Sequence, residues 1–420
     1  MSMLGLHRLW NEFNSDLRLL FLTAGLAAMG MGITDLLTNL YLLRAGFGER
    51  TVGTLVAVSA TMMAVGALPL GVMVDRHSRR TALWLGLAMA GTGTAAMALA
   101  PGLPVLYAAA ALGGLSGALL TVATPAYIAG HTEPESRAWA FTVIAMVHLL
   151  SMTLGQLGGG FLPGLLGGGT RAYRLALLLG SALVLAAAVR RLDLRDAPGP
   201  ARSRVQPVTA RAVLRAPILH SAGSNLLLGI GAGLFIPFFN VLYRVRYDLE
   251  PAQIGWIFAV QNLLMVVAVM VAPILSERRG TVNTIAGAWA VSVAFLFVLA
   301  WAPDPRWFTL GFWVRGTLMF AIGPLLDSFR QNLMHDGERA TASSIIGMTW
   351  FAGWAIGSAT GGDLLARGLY SAPFLIASLF YLISAGWFFA VFRRTEPATR
   401  VRPEFTAAVR SAGIDGPAQP

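Results

Sequence analysis

A chain of 420 residues that is 56% hydrophobic and 12% charged falls outside the range of soluble domains, which carry about 25% charged residues. Its net charge of +11 rests on arginine alone, since lysine is absent, and the arginines sit in short segments between apolar runs; this argues against nucleic-acid binding and for loops at a membrane surface. Cysteine is absent too, which excludes disulfides, thiol chemistry and thiolate metal sites.

Apolar stretches near the length needed to cross a bilayer, about 20 residues, recur along the whole chain. The periodicity predicts spans near Leu17–Leu43, Thr51–Val74, Thr81–Ala100, Pro104–Ala129, Ala138–Leu166 and Ala172–Leu192, then Pro217–Tyr243, Ala252–Leu275, Val282–Ala302, Trp307–Leu333, Ala340–Ala366 and Ala372–Phe392. The expected class is an all-α membrane protein with twelve transmembrane helices in two pseudo-symmetric six-helix bundles. Its parts are an amino-terminal bundle (1–192), a linker (193–216) rich in proline and arginine, a carboxy-terminal bundle (217–394) and a tail (395–420). The first run is too long for a signal-peptide core and has a counterpart mid-chain, so it reads as part of the mature fold.

Ionisable groups inside spans are costly in lipid, and each is a functional candidate. In the first span Asp35 shares a helix face with Thr38 and Asn39, at i+3 and i+4. Asp75-Arg76-His-Ser-Arg79-Arg80 lies between the second and third spans, an acid inside a basic cluster that suits an ion-paired gate better than a purely topogenic one. The fifth span holds His148, then Gly155, Gly159 and Gly160; small residues let helices approach closely in lipid. The seventh has Asn225, three spaced glycines, Pro237 as a kink and Asn240; the eighth has Gln261 and Asn262, polar candidates for a cavity wall. Arg315 lies well inside the tenth, where it needs a partner such as Asp35, a wet cavity or an anionic substrate. Further along, Asp327 and Arg330 read as a local i, i+3 pair. The eleventh carries Gly357, Gly361 and Gly362 and ends near Asp363, read as solvated.

One offset, 202 residues, relates the halves. It carries Gly155, Gly159 and Gly160 onto Gly357, Gly361 and Gly362, and Tyr41, Arg44, Gly53 and Ala57 onto Tyr243, Arg246, Gly255 and Ala259. It also aligns Asp75-Arg76 with Glu277-Arg278 and Asp35 with Pro237. The halves should therefore share a fold about an axis along the membrane normal, with the substrate site between them near the midplane. With both termini on one side, that side holds 22 arginines against 8 on the other, Arg315 being inside a span. The termini are thus expected to be cytoplasmic and the location the inner membrane.

Gly71-Val-Met-Val-Asp75-Arg76-His-Ser-Arg79-Arg80 resembles the signature loop of the major facilitator superfamily, with Ser78 where the family usually has glycine; its second copy around Glu277-Arg278 is degenerate, as is usual there. The Gly155 stretch resembles that of drug/proton antiporters but has Gln156 in place of their proline, and Ala110 stands where many members carry an arginine in the fourth helix. The resemblance implies secondary active transport by alternating access, through a cavity lined in part by helices one and ten. Together these features give a proton-coupled exporter of an amphipathic or drug-like compound, with Asp35 and His148 coupling protons and Asn39, Asn225, Asn240, Gln261, Asn262 and Arg315 lining the cavity. The alternative is a proton-coupled importer of an organic anion anchored on Arg315. No hydrolase, metalloprotease or Walker motif is present, so an enzyme or direct ATP coupling is not expected, nor is a non-transporting receptor. The expected partners are a small-molecule substrate, protons and the lipid bilayer, with no nucleic acid, no cofactor and no metal, for a monomer.

Overall fold

The computed structural model describes residues 13–76, 78–100, 102–196, 215–334 and 339–394, without the side chains of 75–76, 134–135, 269–275, 278–279 and 339–341. Most of the expected linker and all of the tail lie outside these residues. Every regular element within them is helical. In chain order they are α1 (Ser15–Arg44), α2 (Glu49–Arg76), α3 (Arg79–Leu99), α4 (Leu103–Gly130), α5 (Pro134–Leu165) and α6 (Gly169–Arg190). The second half has α7 in two pieces (Ala216–Phe235 and Phe239–Tyr247), α8 (Pro251–Arg279), α9 (Thr281–Trp301), α10 in two pieces (Pro305–Ala321 and Gly323–Asn332), α11 (Arg339–Ala366) and α12 (Ala372–Phe392). Eleven of the twelve are long and apolar enough to cross a membrane; α11, diluted by glycine, serine and threonine, is the other.

Helix ends follow local chemistry. Asn14 caps α1 by accepting from the Leu17 N–H at 2.8 Å, and Ser78 caps α3 through the Thr81 N–H at 3.1 Å. Pro237 lacks an N–H, and α7 breaks there into a 3-10 turn, Ile236–Phe238. The tenth helix, expected as one span, breaks at Ile322, and Pro324 sits in the first turn of its second piece, where its missing N–H costs nothing. Large apolar side chains face outward along the bundle, and Trp256, Trp301 and Trp307 stand exposed near helix ends, as in an interfacial aromatic belt.

Packing repeats between the halves. α1 lies against α5 and α6, as α7 does against α11 and α12; α4 lies against α2 and α3, as α10 does against α8 and α9. Two crossed pairs, α2 with α11 and α5 with α8, join the bundles. The glycines account for both kinds of contact. A Cβ on Gly155 would overlap the Met29 carbonyl in α1, and one on Gly357 would overlap the Ile230 carbonyl in α7. Gly159 and Gly361 lie one turn further along, against Ile33 and Leu234. Across the interface, a Cβ on Gly362 would lie 2.8 Å from the Cα of Gly53, and one on Gly160 would lie 2.6 Å from the Pro251 carbonyl oxygen. The 202-residue offset carries Gly53 onto Gly255, whose own Cβ would sit 2.7 Å from the Gln156 carbonyl. Interface contacts are therefore duplicated by the repeat.

These contacts yield a test. Gly357→Ala is expected to destabilise the purified protein by about 1–3 kcal/mol through overpacking, read as a lower melting temperature. Gly158→Ala is the control, since no atom lies within 4 Å of its Cβ position. Equal melting of the two variants would show that α7 and α11 do not approach this closely.

Candidate transport site

Between the bundles lies a cavity of about 930 Å³, lined by α1, α2, α4, α5, α7, α8, α10, α11 and α12. Of the residues singled out in the sequence, Asp35, Asn39, His148, Asn240, Gln261, Asn262 and Arg315 all line it. The Asp35 side chain is exposed to the cavity and accepts from Gln156 Nε2 at 3.0 Å, and Gln156 Oε1 accepts from Asn262 Nδ2 at 2.8 Å. One chain of hydrogen bonds thus runs from α1 through α5 to α8, across the interface. Gln156 was legible in sequence only as a missing proline; its structural role is to hold the one carboxylate in the cavity wall.

Asp35 and Arg315 do not pair, contrary to one of the expectations for Arg315. Arg315 is 4% exposed, donates to the Tyr381 hydroxyl and lies over the Phe235 ring, 4.7 Å from its centroid. The tyrosine and the ring receive it in part within the carboxy-terminal bundle, on the side away from the carboxylate of the opposite wall. Its Nε has no partner among the described residues. Gln261 is braced on α10: with its amide oriented to satisfy both atoms, the NH₂ donates to the Phe312 carbonyl at 3.0 Å and the oxygen accepts from Thr317. The His148 ring is exposed on the cavity wall and has no hydrogen-bond partner among the described residues. The remaining wall is aromatic and thioether surface, including Phe258, Phe312, Trp354 and Met265.

The break in α7 is clasped to α1. Asn39 Nδ2 donates to the Pro237 carbonyl at 2.7 Å and to Asn240 Oδ1 at 3.2 Å, while Asn240 Nδ2 donates to the Leu36 carbonyl at 2.9 Å. The clasp lies toward the face opposite the termini. On that face Asp363, read from sequence as solvated, is ion-paired with Arg50 of α2 and with Arg367 at 2.7 Å, so one acid ties α11 to α2.

Asn225 sits elsewhere. It lines a second cavity of about 540 Å³ inside the carboxy-terminal bundle, with Asp327, Arg330, Gln331, Trp289 and Trp350. Arg330 and Asp327, expected as a local pair, lie within electrostatic reach of each other without a contact ion pair. Arg330 donates to Asn225 Oδ1 at 3.0 Å, and Asn225 donates to the Ile346 carbonyl at 2.8 Å, so helices seven, ten and eleven are tied together. In the loop after α2, the side chains of Asp75 and Arg76 lie outside those described. Arg79 donates to the Ala126 carbonyl at 3.0 Å and Arg80 donates to the Leu192 carbonyl, both near helix ends in the amino-terminal bundle, where carbonyls favour cations.

The twelve helices, the duplicated packing and the cavity between the halves agree with a family match. A model of the Major Facilitator Superfamily matches residues 20–357 and 221–414. The chain belongs to the Major Facilitator Superfamily. Among solved structures of the same fold, a bacterial homologue of the human lysosomal transporter Spinster, inward-facing and occupied, aligns with a TM-score of 0.74 at 15% identity over 92% of this chain and 98% of its own. The nucleoside transporter NupG aligns with a TM-score of 0.73 at 15% identity over 90% of this chain and 99% of its own. Sequence relatives within the superfamily match over shorter stretches. The class C tetracycline resistance protein of Escherichia coli is 38% identical over 110 residues, 26% of this chain and 28% of that protein. Multidrug resistance protein 2 of Bacillus subtilis (strain 168) is 26% identical over 179 residues, 43% of each chain. The chain thus spans less than half the length of these two relatives.

Removing either end of the asparagine clasp tests its part in this superfamily fold. Asn39→Ala and Asn240→Ala should each destabilise the purified protein. The pair should show a coupling of about 0.6 kcal/mol, with ~1.7 kcal/mol as a ceiling for such bonds between membrane helices. Strictly additive losses in a double-mutant cycle of chemical unfolding would show that the two side chains do not act on each other.

Proposed function

We propose that this protein is a proton-coupled exporter of an amphipathic, drug-like compound, working by alternating access with both termini in the cytoplasm and the chain in the inner membrane as a monomer. One observation carries the reading. The cavity between the bundles is walled by aromatic and methionine side chains and has Asp35 as its only carboxylate among the described residues. Apolar walls with few polar groups suit an amphipathic ligand. A carboxylate that faces this cavity from within a span can exchange its proton with whichever side the cavity opens to, and ionised it attracts a cationic group. His148, on the same wall, is the second proton carrier in this reading. Asn39, Asn240, Gln261 and Asn262 orient the ligand, and the loop from Asp75 to Arg80 is the gate on the cytoplasmic side. Export is favoured over import because the sequence relatives are named for resistance to tetracycline and to multiple drugs, and resistance follows when a transporter removes a compound from the cell.

A second reading, import of an organic anion, has Arg315 in its favour, since the guanidinium lines the cavity without a carboxylate partner. Direction decides between the two. In proteoliposomes with an imposed pH gradient, an aromatic cation, an aromatic carboxylate and an aromatic zwitterion serve as labelled probes. Movement against the proton flow supports export and movement with it supports import.

Asp35→Asn keeps the hydrogen bond to Gln156 within reach and removes the charge. It is expected to insert, bind and exchange probe across the bilayer, but to lose accumulation driven by the pH gradient. Wild-type uphill transport with wild-type pH dependence in Asp35→Asn would remove Asp35 from the coupling mechanism.

A further inference from the structure

Both cavities contain an acid and an arginine that make no contact ion pair with one another, although Asp327 and Arg330 lie within electrostatic reach. In the central cavity Asp35 is held by Gln156 and Arg315 by Tyr381. In the second cavity Arg330 is held by Asn225, while Asp327, three residues earlier on the same helix, faces the space without ion-pairing to it. Arg330 is 6% exposed, and among the described residues its Nε has no hydrogen-bond partner, nor has the indole N–H of Trp289 in the same wall. In both places the arginine's side-chain hydrogen bond goes to a neutral group rather than to the acid. A buried charge needs a counter-charge, and removing one member of a buried pair leaves the other uncompensated at high cost.

The walls repeat as well. Aromatic side chains flank both spaces, and Met319 and Trp350 line both. The two cavities are neighbours along α10, with Arg315 in its first piece and Arg330 in its second. Each volume, about 540 Å³ and 930 Å³, holds a drug-sized molecule.

We propose that the transported compound is an aromatic zwitterion and that it is read twice along its path: first in a staging site in the carboxy-terminal bundle, where Arg330 meets its anionic group and Asp327 its cationic group, and then in the central cavity by Arg315 and Asp35. A molecule with both charges completes both unpaired sets, and its flat body stacks on Trp350, which faces both spaces. A cation satisfies only the acids and leaves each arginine beside an apolar body; an anion does the converse. Discrimination therefore comes from the charge left without a partner. The inference rests on the transport reading above and narrows its substrate to one charge class.

The test is equilibrium binding to the detergent-purified full chain, with three probes that share one aromatic core. They are ciprofloxacin, which carries a carboxylate and an ammonium at neutral pH, its methyl ester, which is a cation, and its N-acetyl derivative, which is an anion. The expected result is two equivalents of ciprofloxacin per chain, with the ester and the N-acetyl form each at least about tenfold weaker, a margin of about 1.4 kcal/mol. Arg330→Gln should remove one equivalent and leave the other, and Arg315→Gln should do the same for the central cavity. Asp327→Asn, at an exposed position that does not hold Arg330, gives a second variant should Arg330→Gln fail to fold, and it is expected to weaken one equivalent only. One equivalent in the unmodified chain, equal binding of the three charge forms, or no ciprofloxacin binding overturns the inference. None of these results touches the proton-driven transport test. Conversely, two bound equivalents with no transport of any probe would overturn the transport reading and leave the two sites in place.

Discussion

A bilayer tolerates an ionisable side chain only where protein or water receives it. The arrangement of this protein follows from that constraint. Asp35 lies in the middle of a long apolar helix, and its carboxylate is neither in lipid nor against an arginine. It faces a cavity and takes a neutral amide, Gln156, as its one hydrogen-bond partner. Arg315 and Arg330 are buried in the other bundle and are received by a tyrosine hydroxyl with an aromatic face and by an asparagine. A neutral partner holds the geometry of a charge without cancelling it. Charge that is positioned but uncancelled is available to a proton or a ligand, and it exists in this membrane segment only because a cavity lies between the halves.

That cavity in turn depends on close backbone approach. Gly53 with Gly362 and Gly255 with Gly160 bring the bundles into contact toward the face opposite the termini, and the offset between the halves makes the two contacts equivalents of each other. A joint made twice about one axis is of the kind that would let two bundles rock against each other. The asparagine clasp and the Arg50–Asp363–Arg367 set lie on the same side, and they are polar contacts that can be exchanged for water. Glycine contacts are short-range and directional, whereas polar clasps lose little when solvated; together they give a seam that is specific without being permanent.

Much of this was legible in the sequence. Helix number, pairing of the halves and the glycine contacts follow from span length, a constant offset and the chemistry of small residues in lipid. Seven of the eight residues expected in the cavity or in proton coupling do line the central space, because polar groups inside apolar spans have few other places to go. What escaped were partners and breaks. Gln156 lies 121 residues from Asp35, and no local pattern links them. Arg315 was expected to seek an acid, but the fold offered a nearer hydroxyl and ring. Asn225 lies in the other piece of α7 from Asn240, about four turns away along the helix, and opens onto a different space. The break at Ile322 was written as Gly323-Pro324 inside an otherwise uninterrupted apolar run, and the expectation of a single span passed over it. Each of these depends on which helix faces which, information that periodicity within a helix does not hold.

Under the proposed alternating access, one cavity, sealed toward the face opposite the termini by the contacts described, opens to the two sides in turn. The absence of cysteine allows a direct measurement, since Thr34→Cys introduces the chain's one thiol on the wall of that cavity. In membrane vesicles of both orientations, a membrane-impermeant thiol reagent reports access from each side. Labelling from the terminal face is expected, and on adding Asn240→Ala to loosen the clasp, a rise in labelling from the opposite face matched by a fall at the terminal face. Labelling that rises from both faces together, as in an open pore, or that ignores the clasp altogether, would contradict alternating access.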